Sequence, residues 1–209
     1  NEFAIAHNGI IANYQRLREQ LIQQGFEFRS LTDSEVISNL LENAFYEEQD
    51  LEQALQSTLK KLEGTFGLVM ISLHDPERIY AAKQESPLMV GLGEGTNYVG
   101  SDINAFLEHT RRAWVLEDGE YAVLDRERVI IRKFPSGKMV QKQVLQIEWD
   151  LETTKKGGYS HYMIKEIFDE PQTIRQVLKV PDEQIQKLAE TLTGATQTYL
   201  IGVGTTFYV

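Results

Sequence analysis

The sequence predicts an α+β (or layered α/β) domain followed by the start of a separate α/β domain. Three observations carry this. Helical and strand patterns alternate over the first 64 residues, the next 80 are rich in short strands, and a stretch without periodicity at 148–158 separates these from a new helical pattern. The predicted organisation is therefore a domain over residues 1–147, a linker over 148–158 and the beginning of a second domain over 159–209.

Each element has a local reason. Phe3 to Ala6 is an apolar strand, and the dipeptide Asn8-Gly9 after it predicts a turn. Tyr14, Leu17 and Leu21 recur at helical spacing over residues 12–24, with Gly25 as the stop. Phe26 to Arg29 reads as a short strand. Thr32 or Asp33 is placed to cap a helix that runs through Leu40, Leu41, Ala44 and Phe45. A third helix, Leu51 to Leu62, carries Leu51, Leu55, Leu59 and Leu62 on one face before Gly64. Phe66 to Leu73 is a near-continuous apolar strand, and Ile79 to Ala82 returns after the turn at Asp75-Pro76. Leu88 to Leu92 and Tyr98 to Gly100 are two further strands, with a short helix at Asn104 to His109 after them. Trp114 to Leu116, Glu120 to Leu124, Val129 to Phe134 and Val140 to Val144 predict an antiparallel meander. Beyond the linker, helical residues surround Pro171, a helix opens at Pro181-Asp182-Glu183, and Thr198 to Val203 reads as an apolar strand ending in Gly204-Thr205-Thr206.

Composition excludes several function classes. The 209 residues are 42% hydrophobic and 25% charged, the balance of an ordinary globular protein. A net charge of −10 argues against a nucleic-acid surface, which needs clustered Lys and Arg. No apolar run is long enough to span a bilayer and no secretory signal is visible, so a cytoplasmic, non-membrane protein is expected. There is no cysteine, and His7, His74, His109 and His161 lack metal-ligand spacing, so neither a disulfide scaffold nor a metal site is expected.

Two short motifs carry possible chemistry. An Asn side-chain amide and a Gly backbone N–H that converge on one point form an oxyanion hole, and Asn8-Gly9 could supply both; a plain turn is the alternative. In Ser30-Leu31-Thr32-Asp33-Ser34-Glu35, the Asp33 carboxylate could hold a ligand ammonium or simply cap the helix.

His7-Asn8-Gly9, then a helix and a strand, then Thr32-Asp33-Ser34-Glu35 resembles the class II, Ntn-type glutamine amidotransferases. Later segments narrow the likeness: Ser86-Pro87-Leu88-Met89-Val90-Gly91, Asn97-Tyr98-Val99-Gly100-Ser101-Asp102, Thr110-Arg111-Arg112, Leu116-Glu117-Asp118-Gly119-Glu120, and above all His161-Tyr162-Met163-Ile164-Lys165-Glu166-Ile167 with Glu170-Pro171. Together they are similar, collinearly along the whole chain, to the isomerizing glutamine–fructose-6-phosphate aminotransferase family.

The resemblance implies an αββα Ntn sandwich followed by the start of a sugar-isomerase (SIS) domain. It implies glutamine and fructose 6-phosphate as substrates, no cofactor, and a homodimer for the intact protein. It assigns Asn8 and Gly9 to the oxyanion hole, Asp33 to the glutamine α-ammonium, and Thr205 and Thr206 to the sugar phosphate. Two departures matter. The family's nucleophile is an N-terminal Cys, and an Arg-Trp-Ala-Thr-His segment precedes its Asn-Gly; neither occurs here. Val203-Gly204-Thr205-Thr206 stands where the family has Cys-Gly-Thr-Ser. The expectation is an internal fragment of such an enzyme, inactive by itself. The competing expectations are another Ntn amidotransferase with a different acceptor domain, or a non-catalytic sugar-phosphate-binding or regulatory protein.

Overall fold

A computed structural model describes residues 2–148 and 158–199. The chain divides into two compact units, Asn1–Leu151 and Glu152–Val209.

In the first unit, strand β1 (Phe3–Ile11) leads into helices α1 (Tyr14–Gln23), α2 (Ser34–Glu48) and α3 (Leu51–Lys61). Then follow β2 (Gly64–Ser72), β3 (Asp75–Gln84), β4 (Met89–Leu92) and β5 (Asn97–Gly100), a single 3-10 turn (Ile103–Ala105), β6 (Arg112–Val115), β7 (Glu120–Leu124), β8 (Val129–Lys133), β9 (Met139–Val140) and β10 (Leu145–Gln146). Two sheets result, both antiparallel: six strands in the order β1-β2-β3-β7-β8-β9, and four in the order β10-β6-β4-β5.

Side-chain alternation decides what each face of a strand covers. From the six-stranded sheet, Phe3, Ile11, Phe66, Leu68, Met70, Ala82 and Tyr121 join the apolar stripes of α1, α2 and α3 in one core. The opposite face, through Ala81, Ala122, Leu124 and Ile131, packs on Val90 and Leu116, with Val99 and Trp114 beside them. A third cluster, Ile103, Phe106 and Leu107 with Ala113 and Ile147, covers the outer face of the four-stranded sheet. The layers are thus three helices, two stacked sheets and a thin turn-built cover, the α+β sandwich that the sequence predicted.

Four local expectations need correction. Residues 8 and 9 form no turn: β1 runs unbroken to Ile11, with Asn8 opposite Gly67 and Gly9 opposite Phe66. Phe26 to Arg29 is not a strand; its two phenylalanines pack on the helical core instead, and the Arg18 guanidinium lies 4.6 Å from the Phe28 ring centre. The segment at 104–109 is a 3-10 turn followed by turns, not an α-helix. The Trp114 strand leaves the predicted meander and joins β4 and β10 in the other sheet, so only β7, β8 and β9 form it.

In the second unit, α4 (Tyr162–Val177) continues through Pro171, and α5 (Asp182–Gly194) begins at the predicted position. The predicted strand at 198–203 is absent from Thr198 and Tyr199, and its remainder lies outside the described residues, as do Thr205 and Thr206 and almost all of the predicted linker. Among the described residues no helix is long and apolar enough to cross a membrane, and no group of three or more His, Asp or Glu is placed to hold a metal ion.

Candidate active site

β1 is an edge strand of the six-stranded sheet. Along it, Phe3 and Ile11 are buried against the helices, whereas Ala4, Ala6, Asn8 and Ile10 on the other face are exposed. Asn8 is therefore exposed on that face, next to Gly67 on β2. In the same transverse row stand Lys83 on β3 and the fully buried Glu120 on β7. Lys83 pairs with Asp118, whose carboxylate also accepts the Glu85 N–H at 2.7 Å; Lys142 pairs with Glu120 at 2.7 Å. The Asp118 carboxylate anchors the turn at Glu85, and Pro87 lies close over Gly67, where an added Cβ would stand only 3.1 Å from the Pro87 carbonyl oxygen.

Gly9 is required by its backbone. Its φ is +141°, and a Cβ there would lie 2.1 Å from the Thr65 carbonyl oxygen, a backbone atom that cannot give way. Thr65 also accepts the Ile10 N–H through its Oγ1 at 3.2 Å. The special conformation that the Asn-Gly pair signals is real, but it is stitched into a ladder 55 residues away in sequence rather than into a local turn.

Asp33 precedes α2, but its side chain makes no capping hydrogen bond; the cap expectation is corrected. Its Oδ2 accepts the Ile11 N–H at 2.8 Å instead. Its neighbour Ser34 hydrogen-bonds His7 Nδ1 through Oγ at 2.9 Å, and Ser34 Oγ lies 3.5 Å from Asp33 Oδ1, the outer limit of a donated bond. The start of α2 thus grips β1 on both sides of Asn8-Gly9. Glu35 secures the preceding loop: it accepts the Arg29 and Ser30 N–H groups, each at 2.7 Å, and the Ser30 hydroxyl at 2.6 Å. Desolvation raises the Glu35 pKa, but these donors and the nearby Arg18 charge outweigh it and the net shift is downward.

The structure brings β1 and the Asp33 turn together and places neither Thr205 nor Thr206. Sequence reasoning missed His7, Ser34, Thr65 and Gly67. His7 and Ser34 are immediate neighbours of Asn8 and Asp33, so adjacency was the only available signal; Thr65 and Gly67 gave none.

This α+β sandwich of two antiparallel sheets is shared with solved class II, Ntn-type glutamine amidotransferases. The glutamine amidotransferase domain family matches residues 1–108, and the chain belongs to that family. It is similar to the isomerizing glutamine–fructose-6-phosphate aminotransferase of Thermococcus kodakarensis, 37% identical over 207 residues, covering 99% of this chain and 34% of that protein. It is similar also to the same-named protein of Aquifex aeolicus, 47% identical over 178 residues, covering 85% of this chain and 30% of that protein. Among solved structures, glutamine phosphoribosylpyrophosphate amidotransferase from B. subtilis, complexed with ADP and GMP, superposes with a TM-score of 0.56 at 26% identity, over 64% of this chain and 30% of that one. The chain spans about a third of the length of the curated relatives it matches.

Proposed function

We propose that this chain is the glutaminase part of an enzyme that makes glucosamine 6-phosphate from glutamine and fructose 6-phosphate. The observation that carries this is the grip of the Asp33 turn on β1 around Asn8-Gly9, in a chain whose curated relatives bear that enzyme's name. In an antiparallel ladder the backbone N–H groups alternate between the partner strand and the free edge. The Ile11 N–H leaves the ladder for Asp33, and in this proposal the Gly9 N–H faces the same edge of β1.

In this proposal a thiolate attacks the glutamine carboxamide carbon. The Asn8 side-chain N–H and the Gly9 N–H stabilise the oxyanion that forms; the proton given up by the thiol passes to the amide nitrogen, the C–N bond breaks, and ammonia leaves to give a thioester. Water then attacks the thioester, releasing glutamate and restoring the thiol. With one carboxylate oxygen held by Ile11, the other oxygen of Asp33, which Ser34 Oγ approaches at 3.5 Å, receives the α-ammonium on a remaining lone pair. These 209 residues contain no cysteine, so the thiol comes from elsewhere in the full-length protein. Thr205 and Thr206 are assigned to the phosphate of fructose 6-phosphate at the start of an SIS domain. The intact protein is proposed to be a cytoplasmic homodimer. Incubation of the full-length protein with glutamine and fructose 6-phosphate, with glucosamine 6-phosphate as the readout, tests the whole reading. Glutamate release without amino sugar would favour another acceptor.

A further inference from the structure

His7 and Ser34 have no part in the chemistry above, yet they join the two segments that do. His7 lies directly before Asn8 on β1, and Ser34 directly after Asp33 at the first residue of α2. Their 2.9 Å bond and the 2.8 Å Ile11–Asp33 bond come from the same end of α2 and reach β1 at residues 7 and 11. The stretch between those anchors is Asn8-Gly9-Ile10. Gly9 holds a backbone conformation that L side chains rarely adopt, and among the described residues β1 pairs with β2 alone. Among the described residues, the His7 ring atom Nε2 is buried and meets no hydrogen-bond partner. A lone pair is less costly to leave there than an N–H, which puts the proton on Nδ1, donating to Ser34 Oγ. The Ser34 hydroxyl is then free to donate toward Asp33 Oδ1.

We propose that His7 and Ser34 are positioning residues that lock the oxyanion donors Asn8 and Gly9 in register with the ammonium-binding carboxylate of Asp33. This rests on the oxyanion-hole reading of Asn8-Gly9. Neither residue touches substrate. Each acts by fixing the separation between the strand that stabilises the oxyanion and the helix end that orients glutamine. Small displacements of such groups are costly in rate, because a donor must meet the oxyanion at hydrogen-bond distance.

The test is steady-state glutaminase kinetics on the full-length protein, with thermal melts on the same samples and all assays run well below melting. His7→Leu and Ser34→Ala should each lower kcat roughly ten- to a hundredfold, with KM within about threefold of the parent. The double variant should be no worse than Ser34→Ala, which removes the His7 bond together with the hydroxyl that faces Asp33 Oδ1. Ser34→Thr keeps the hydroxyl and His7→Asn keeps a donor near the Nδ1 position, and both should recover most of the loss. A kcat that stays at the parent level in His7→Leu and Ser34→Ala, while Asn8→Ala loses it, overturns this inference alone. Losses that multiply in the double variant, or that the conservative variants fail to recover, also overturn it. If Asn8→Ala itself keeps full kcat, the oxyanion-hole reading fails and takes this inference with it.

Discussion

The Asp33 carboxylate accepts the Ile11 N–H at 2.8 Å across 22 residues of sequence, so a residue at the start of a helix spends one oxygen on a strand. With the His7–Ser34 bond it ties the two motifs of the candidate site together, and it separates two roles of Asp33 that mutation can resolve. Asp33→Asn retains an oxygen for Ile11 and loses the charge, so it should raise KM for glutamine with little loss of stability. Asp33→Ala removes both and should cost a further 1–3 kcal/mol, roughly, from the stranded N–H. Kinetics and urea melts on the two variants check the split. Equal KM values for Asp33→Asn and the parent would remove the ammonium role.

Gly9→Ala should be severely destabilising, by roughly 3 kcal/mol or more, because the new Cβ meets the Thr65 carbonyl oxygen at 2.1 Å and the φ of +141° is strained for any L side chain. Denaturant unfolding measures this. A melt like the parent's would mean that β1 does not hold the described register.

Acid should weaken the first unit partly through Glu35. Its folded-state pKa lies below its ordinary 4.5, so its contribution is complete above 4.5 and is lost as pH falls through the lower, folded value. Glu35→Gln should therefore flatten the acid limb of a stability–pH curve, costing most stability near neutrality and progressively less as pH falls below about 4. An acid limb as steep as the parent's would assign that dependence to other carboxylates.

Thr206→Ala in the full-length protein should weaken fructose 6-phosphate binding roughly ten- to a hundredfold, the loss of one charge-assisted bond, without changing glutamine hydrolysis. Calorimetric titration decides it. An unaltered Kd would reduce Gly204-Thr205-Thr206 to a strand and its turn.

The helices were legible because their apolar spacing is local. Leu17 and Leu21, Leu40 and Leu41, and Leu55 and Leu59 all face the core that their periodicity predicts. The errors arose where distant partners decide. Asn8-Gly9 has turn chemistry, but Phe66 and Gly67 pair with it and keep it extended. Phe26 and Phe28 alternate like a strand yet join neither sheet; burial against the helices satisfies the pattern without a ladder. Trp114 follows its neighbours in sequence but pairs with Val90, a choice that local pattern does not encode. At the site, Asn8 and Asp33 were visible as residue types in a spaced motif. The bonds from Ile11 to Asp33 and from His7 to Ser34 were not, since each depends on how α2 lies across the sheet.

The central claim is that the amide of Asn8 stabilises the oxyanion of glutamine hydrolysis. The direct measurement is kcat and KM for glutamate release by the full-length protein and its Asn8→Ala variant, with a melt to confirm folding. The account predicts a fall in kcat of roughly 10²–10³-fold with KM nearly constant, and no release from the 209-residue chain by itself, which has no cysteine. A folded Asn8→Ala enzyme with the parent's kcat, or glutamate released by the isolated chain above a buffer control, would contradict it.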